Sequence, residues 1–192
     1  LILPLLAKHL PLEIPNPVFI GHKNSHIPAF YGHELIKGLP GSAVSLNEQE
    51  YHQAAIDLGR FLKILHGLKI DDLGLSAKDF IRGFDRSDYL NSKRIFDERL
   101  SKVSIHFDLK KYLPKFDEIC QQASTYKPKK ATLIHGDMYH RHLIFDENRL
   151  SGVIDWGDCC LGDPVGDLGI IFQFFPKNTR ESFFKSYGLV NE

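Results

Sequence analysis

The chain has 192 residues, of which 43% are hydrophobic and 25% are charged, as is usual for a soluble globular protein. Its 24 basic and 24 acidic residues give a formal net charge of zero, so no overall field favours nucleic acid or an anionic membrane as a partner. The three cysteines lack CxxC spacing and no apolar run approaches the ~18 residues of a membrane span, which predicts a reduced, cytoplasmic protein.

The N-terminal part of the chain predicts a helix end followed by extended segments. Residues 1–10 have the pattern of an amphipathic helix that Pro11 stops. Residues 11–21 carry three prolines and are predicted to be extended, and residues 29–37 to form a strand closed by the turn at 38–41. Because the sequence opens inside an apolar stretch and without methionine, we interpret its first residue as a boundary within a longer chain.

A long helix is predicted next. Apolar residues recur at intervals of three and four between residues 51 and 65, which places them on one face, and Gly67 ends the pattern. A capping box is available at the start of this helix from either of two pairs, Ser45 with Glu48 or Asn47 with Glu50.

Two weaker helices follow, over about residues 86–101 and 109–123. The second has two possible starts, with Asp108 as its cap or with Pro114 in its first turn. Lysines at 127–130 are interpreted as a solvated loop. A solvated helix face is the favoured explanation for four acidic residues of this region, with contact to a cationic sugar as the alternative: Asp85, Asp88, Asp97 and Glu98.

The C-terminal part predicts a small sheet and two further helices. Short β-like runs cover residues 131–134, 142–146 and 150–154, a buried helix covers 165–175, and a last helix ends at Tyr187. Helices therefore dominate an α+β fold whose small sheet lies where the unusual polar residues are concentrated.

Geometry alone brings three of these polar residues together. The polar turn at 146–149 predicts an antiparallel hairpin in which residue 142 faces residue 154. The side chains of His142 and Asp155 then emerge at the same end of the hairpin, where the loop carrying Asp137 also enters. Two carboxylates and an imidazole at one point predict a metal-assisted site.

The ordered motifs of this region resemble the aminoglycoside phosphotransferase family. They are His135-Gly136-Asp137, Ile154-Asp155-Trp156 and Gly162-Asp163-Pro164-Val165-Gly166-Asp167. The resemblance implies a protein-kinase-like fold with a mostly helical C-lobe and a small β-hairpin sheet at the active site. It also implies that residues 1–38 are a remnant of the N-lobe and hinge, that 39–192 form the C-lobe, and that most of the N-lobe is missing from this chain, since no Gly-rich phosphate loop is found.

The resemblance also implies roles for individual residues. Asp137 matches the catalytic base, and Asp155 matches the aspartate that binds Mg²⁺ at the nucleotide phosphates. His142 stands where most members carry asparagine as the second metal ligand, a departure that is shared by the aminoglycoside 2″-phosphotransferase branch. Asp167 and His135 match positions that support the catalytic loop.

The implied reaction transfers the γ-phosphate of ATP or GTP to a hydroxyl of a small molecule, with an aminoglycoside-like acceptor favoured. The base of the nucleotide would meet the hinge at His33, Glu34, Leu35 and Ile36. No nucleic-acid or membrane partner is expected, and the sequence does not determine the oligomeric state.

Two other functions are compatible with the same residues. His140 and His142 could form one side of a zinc site, with Asp137, Cys159 or Cys160 as further ligands, in a metal-dependent hydrolase. The chain could also be a noncatalytic kinase-like binding module, although the two carboxylates at Asp137 and Asp155 argue against a decayed site.

Overall fold

The computed structural model describes residues 2–80, 89–127 and 131–188. A short helix α1 (Leu3–Leu6) opens the chain, with proline in its first turn. Strands β1 (Pro17–Gly21) and β2 (Phe30–His33) follow it and pair antiparallel. The predicted strand at 29–37 is thus shorter than expected, and the residues after His33 run on as irregular chain.

Helix α2 (Glu48–Gly67) is the long helix that the sequence predicts. Its start uses the second of the two possible capping boxes. The Asn47 side chain accepts a hydrogen bond from the Glu50 backbone N–H at 3.0 Å, and the Glu50 carboxylate accepts one from the Asn47 N–H at 2.7 Å. Both bonds satisfy N–H groups that a helix start otherwise leaves unpaired.

The core forms where α2 packs against the last helix, α7 (Arg180–Tyr187). Gly59 permits this close packing, because a Cβ there would lie 2.6 Å from the carbonyl oxygen of Phe183. Gly188, with φ of 99°, ends α7 in the left-handed conformation that favours glycine. The fully buried apolar side chains of the two helices are Ala55, Leu58, Phe61, Leu62, Leu65 and Phe183.

Helices α3 (Tyr89–Val103) and α4 (Leu113–Thr125) contact each other through the rings of Phe96 and Phe116. Pro114 lies in the first turn of α4, so the second of its two predicted starts is correct. Asp108 instead accepts a hydrogen bond from the backbone N–H of Lys110.

The acidic residues of this region lie partly within the described chain. Asp97 and Glu98 form ion pairs one helical turn away, with Lys93 and Arg94, as expected of a solvated helix face. Asp85, Asp88 and residues 128–130 lie outside the described residues.

Two small sheets frame the centre of the molecule. Strands β3 (Leu39–Pro40), β5 (Leu143–Asp146) and β6 (Arg149–Val153) form one, and β4 (Thr132–Ile134) with β7 (Cys160–Gly162) forms the other. The sequence predicts three of these strands but not β3 and β7, which are two and three residues long. Neither β3 nor β7 lies within an apolar run of about four residues or more, so each is defined only by its partner strand.

The hairpin of β5 and β6 has the predicted register at its open end. Leu143 faces Val153, and the Ile154 N–H donates to the His142 carbonyl at 2.9 Å, so residue 142 does oppose residue 154. A one-residue irregularity after Ile144 shifts the register nearer the turn.

The segment from 165 to 175 forms two four-residue helices, α5 (Val165–Leu168) and α6 (Ile170–Gln173), where one helix was predicted. Gly166 and Gly169 lower the helix propensity of this segment. Within the described ranges, no helix combines the length and the apolar character that crossing a membrane would require.

Candidate active site

The loop after β4 contains a glycine that cannot be replaced without strain. Gly136 has φ of 83°, a left-handed conformation that side chains disfavour. A Cβ at this position would also overlap the backbone carbonyl of Asp158. The two backbones therefore touch, and this contact fixes the course of the chain into Asp137.

His135 is fully buried and braces the same loop. Its Nε2 donates to the Ile154 carbonyl at 2.9 Å, and its Nδ1 accepts the Asp137 backbone N–H at 3.2 Å. Burial lowers the pKa of the imidazole, since removal from water disfavours its charged form. A neutral ring with the proton on Nε2 satisfies both contacts, so His135 links the loop to the end of β6.

Asp167 holds the loop from the opposite side. Its buried carboxylate accepts the backbone N–H groups of His135 at 2.7 Å and of Gly136 at 2.9 Å. A third contact at 3.1 Å comes from Nε2 of His66, whose Nδ1 lies 2.8 Å from the Tyr187 hydroxyl. Helices α2 and α7 are thus connected to the loop that carries Asp137 through a single carboxylate.

These contacts also determine the charge of Asp167. Burial opposes ionisation and acts to raise its pKa, but the hydrogen bond from His66, the adjacent imidazoles and the Gly136 N–H outweigh it. The pKa of Asp167 is therefore held below its ordinary value, and the group is a carboxylate at neutral pH.

His142 stands at the start of β5 and is also buried. Its Nδ1 lies 2.7 Å from the Asp137 backbone carbonyl, which can only accept, so Nδ1 carries the proton. The Arg141 Nε, which can only donate, lies 3.2 Å from Nε2. Both contacts assign the lone pair of the neutral ring to Nε2, the nitrogen available to a metal.

Asp155 lies two residues after the end of β6 in a left-handed conformation, with φ of 65° and ψ of 58°. Such a backbone is uncommon for a residue other than glycine and is found disproportionately at functional sites. The side chain is 59% exposed, and its Oδ2 is 3.2 Å from His142 Nε2.

The predicted convergence of three residues is confirmed. Asp137, His142 and Asp155 each offer a ligand atom, and these atoms lie within 4.8 Å of one another. Asp137 Oδ2 is 3.8 Å from His142 Nδ1. Two carboxylates and one imidazole nitrogen form a donor set that fits a divalent cation, while the individual roles of the residues stay predictions.

The other predicted ligands of zinc lie apart from this group. Among the residues that the structure describes, His140, Cys159 and Cys160 do not belong to the converging set. The His140 ring instead stacks on Phe174, with ring centres 5.8 Å apart and planes at 12°. Of the two histidines, His142 therefore belongs to the converging group, whereas His140 packs against an aromatic ring.

The predicted nucleotide-base segment follows β2. His33 Nδ1 donates to the Glu34 carbonyl at 2.7 Å, Leu35 is 91% exposed and Ile36 is 8% exposed. Ile36 packs on Gly152 of β6, which connects this segment to the hairpin. A pocket of about 330 Å³ borders it, lined by residues that include Glu34, Leu35, Ile36, Glu13 and Asn16.

Sequence reasoning missed three residues that contact the site. His66 and Tyr187 support Asp167 from α2 and α7, and Arg141 contacts His142. A histidine among the apolar residues of α2 was the available signal for His66, because a buried imidazole needs polar partners.

Comparison with known proteins gives one family. A family model described as the phosphotransferase enzyme family matches residues 2–191. An uncharacterized protein of Bacillus subtilis strain 168, YcbJ, is 26% identical over 173 residues, which are 84% of this chain and 55% of that protein.

Solved structures with the same fold include nucleotide complexes. The GDP and kanamycin complex of APH(2″)-IIIa superposes with a TM-score of 0.73 at 22% identity, covering 98% of this chain and 65% of that one. ADP-bound aminoglycoside phosphotransferase APH(2″)-Ib gives a TM-score of 0.58 at 28% identity, covering 93% and 60%.

A macrolide 2′-phosphotransferase, MphH of Brachybacterium faecium, gives a TM-score of 0.62 at 22% identity and covers 97% and 61%. The fold is thus the kinase-like fold of these phosphotransferases, with helices and small sheets. The chain spans about half the length of the Bacillus relative and under two thirds of each of these structures.

Proposed function

The chain belongs to the phosphotransferase enzyme family, and from this premise we propose that the protein transfers the γ-phosphoryl group of ATP or GTP to a hydroxyl of a small molecule. The observation that carries the proposal is the convergence of Asp137, His142 and Asp155 within 4.8 Å. Phosphoryl transfer requires positioning and charge neutralisation more than covalent participation by the protein, and this group offers both.

Asp137 is proposed as the catalytic base. The acceptor oxygen attacks the γ-phosphorus, the bond from that phosphorus to the β,γ-bridging oxygen breaks, and the nucleoside diphosphate leaves. The hydroxyl proton passes to the Asp137 carboxylate, which the backbone contacts of His135 and Gly136 hold in place.

Asp155 and the Nε2 of His142 are proposed to hold Mg²⁺. When bound, the ion would neutralise charge on the nucleotide phosphates. Magnesium prefers oxygen ligands, so the carboxylate is the stronger ligand of the two, and Mn²⁺, which carboxylates also suit, can replace Mg²⁺ as a probe. The exposure of Asp155 leaves its carboxylate accessible to an arriving metal–nucleotide complex.

The base of the nucleotide is proposed to meet the backbone of His33, Glu34, Leu35 and Ile36. The packing of Ile36 on Gly152 supports this, because it ties that segment to the hairpin that ends at Asp155. We also propose that residues 1–38 are the end of an N-lobe and hinge and that 39–192 form the C-lobe. Most of the phosphate-covering N-lobe would then lie outside this sequence.

The acceptor is proposed to be aminoglycoside-like. The support is that structural relatives were solved with kanamycin and with gentamicin, the latter at 27% identity and a TM-score of 0.59. A macrolide phosphotransferase shares the fold, so a macrolide is the acceptor class to compare.

The test is nucleotide-dependent phosphorylation of aminoglycosides and macrolides by the full-length protein. Asp137→Ala is expected to lower kcat by at least ~100-fold, because the proton acceptor is removed. Asp57→Asn is the matched control, since this α2 carboxylate accepts a hydrogen bond from its neighbour Gln53 at 2.9 Å and lies outside the proposed machinery. Unchanged turnover by the Asp137→Ala variant would show that Asp137 is not the catalytic base.

The same protein preparation tests the two alternative functions, a zinc-dependent hydrolase and a noncatalytic binding module. Stoichiometric zinc that is lost in a His140→Ala variant, with no stabilisation by nucleotide, would indicate the hydrolase. Nucleotide binding without turnover on any acceptor of the panel would indicate the binding module.

A further inference from the structure

Arg141 stands between the two histidines and makes contacts that its sequence position does not predict. Its backbone belongs to the short 3-10 turn at 140–142 before β5, and its side chain is exposed. The Nε nonetheless donates to His142 Nε2 at 3.2 Å, and the guanidinium carbon lies 5.3 Å from the centre of the Tyr139 ring. A hydrogen bond and a cation–π contact thus hold an otherwise free side chain.

The contact places the Arg141 guanidinium beside two groups that both present lone pairs, His142 Nε2 and the Asp155 carboxylate. His142 Nε2 presents its lone pair, because Nδ1 uses its proton on the Asp137 carbonyl at 2.7 Å. The same Nε2 lies 3.2 Å from Asp155 Oδ2. The Arg141 N–H and its positive charge offset the repulsion between this lone pair and the Asp155 carboxylate.

A metal ion and this hydrogen bond cannot share the nitrogen. A metal bound to an imidazole nitrogen lies about 2.0–2.2 Å away, along the lone pair toward which the Arg141 N–H now points. Metal binding at His142 must therefore displace the guanidinium. The exposed position of Arg141 gives it room to turn.

We propose that Arg141 is an exchangeable cation of the active site, which donates to His142 Nε2 in the observed geometry and binds phosphate oxygens of the nucleotide once a metal ion takes that nitrogen. The proposal rests on the phosphotransferase function proposed above. A guanidinium suits phosphate because its planar N–H groups can donate two parallel bonds. Arg141 would then be a phosphate-binding residue that is released at the moment the metal–nucleotide complex arrives.

Binding measurements test this without an activity assay. Mn²⁺ binding to the full chain without nucleotide is measured by titration calorimetry and electron paramagnetic resonance. Mn²⁺–ATP and Mn²⁺–GTP binding are then measured in the same way. Arg141→Met is expected to bind Mn²⁺ alone about tenfold more tightly, because its competitor is gone, and the metal–nucleotide complex about tenfold more weakly, because a charged hydrogen-bond donor is lost.

Arg149→Met is the matched control. Arg149 is an exposed arginine at the turn end of the same hairpin, so its loss removes the same charge away from the site. Opposite changes in the Arg141 variant, absent from this control, support the proposal. Changes of the same sign in both measurements, or values equal to the control, overturn it.

Mn²⁺ binding by an Asp155→Asn variant distinguishes a failure of this proposal from a failure of the proposed function. If Asp155→Asn weakens Mn²⁺ binding while Arg141→Met behaves like the control, only the role of Arg141 is wrong. If Asp155→Asn and the unaltered protein bind Mn²⁺ equally, the metal site and both proposals are wrong.

Discussion

The substitution Asp167→Asn tests how the loop that carries Asp137 is held in place. The wild-type carboxylate accepts two backbone N–H groups, from His135 and Gly136, and a contact from His66. An asparagine offers one acceptor oxygen and one N–H₂ donor, so at least one backbone N–H would face another donor. Leaving a buried donor unsatisfied costs about 1–3 kcal/mol, and weakening a charge-assisted bond brings the expected loss of unfolding free energy to about 2–4 kcal/mol.

Thermal unfolding followed by tryptophan fluorescence measures this loss. The chain has one tryptophan, Trp156, which is buried with its ring centre 4.8 Å from that of His135. A loss of this size would lower Tm by roughly 4–16 °C in a chain of this length. Asp97→Asn is the control, since its half-exposed ion pair with Lys93 should contribute under about 1 kcal/mol.

The pH dependence gives a second readout of the same contacts. The folded-state pKa of Asp167 is depressed, so its stabilisation is present above the unfolded-state pKa of about 4 and is lost as the pH falls through the folded-state value. The stability gap between wild type and Asp167→Asn should therefore be constant near neutral pH and should narrow below about pH 4. A variant as stable as Asp97→Asn, or a gap that widens in acid, would refute this account.

Three further substitutions probe local geometry, each by the change in unfolding free energy from urea titration. Gly136→Ala should cost more than about 2 kcal/mol, because the positive φ and the overlap with the Asp158 carbonyl act together; a neutral effect would mean that the loop can shift. Asn47→Ala should lower the unfolding free energy by about 1 kcal/mol, because the Glu50 N–H loses its side-chain acceptor; an unchanged stability would mean that water replaces this bond. Phe61→Ala should cost about 3–5 kcal/mol, since its side chain is fully buried, and a cost under 1 kcal/mol would contradict its place in the core.

Several features could be predicted because local chemistry decides them. The cap of α2 depends on residues three apart, and the hairpin depends on a polar turn between two short apolar runs. Once the hairpin register was known, the proximity of His142 and Asp155 followed from strand spacing alone. The order of the motifs around Asp137 indicates the family from the sequence alone.

Other features were decided only by packing between distant segments. Strands β3 and β7 are too short to carry a period and exist because they pair with β5 and β4. The buried contact between His66 and Asp167 joins positions 101 residues apart. No local pattern encodes such a pair, because its energy depends on the exclusion of water that only the assembled core provides.

The sequence by itself therefore predicted which polar residues form the candidate site and, through short-range pairing, that His142 and Asp155 would meet. The tertiary structure decided what holds them there: the backbone contact at Gly136, the left-handed conformation of Asp155 and the hydrogen bonds of Asp167. The physical reason is the sequence separation of the interacting residues, since turns, caps and strand registers are set by neighbours along the chain. The support of the loop instead depends on groups that become neighbours only when helices and sheets pack.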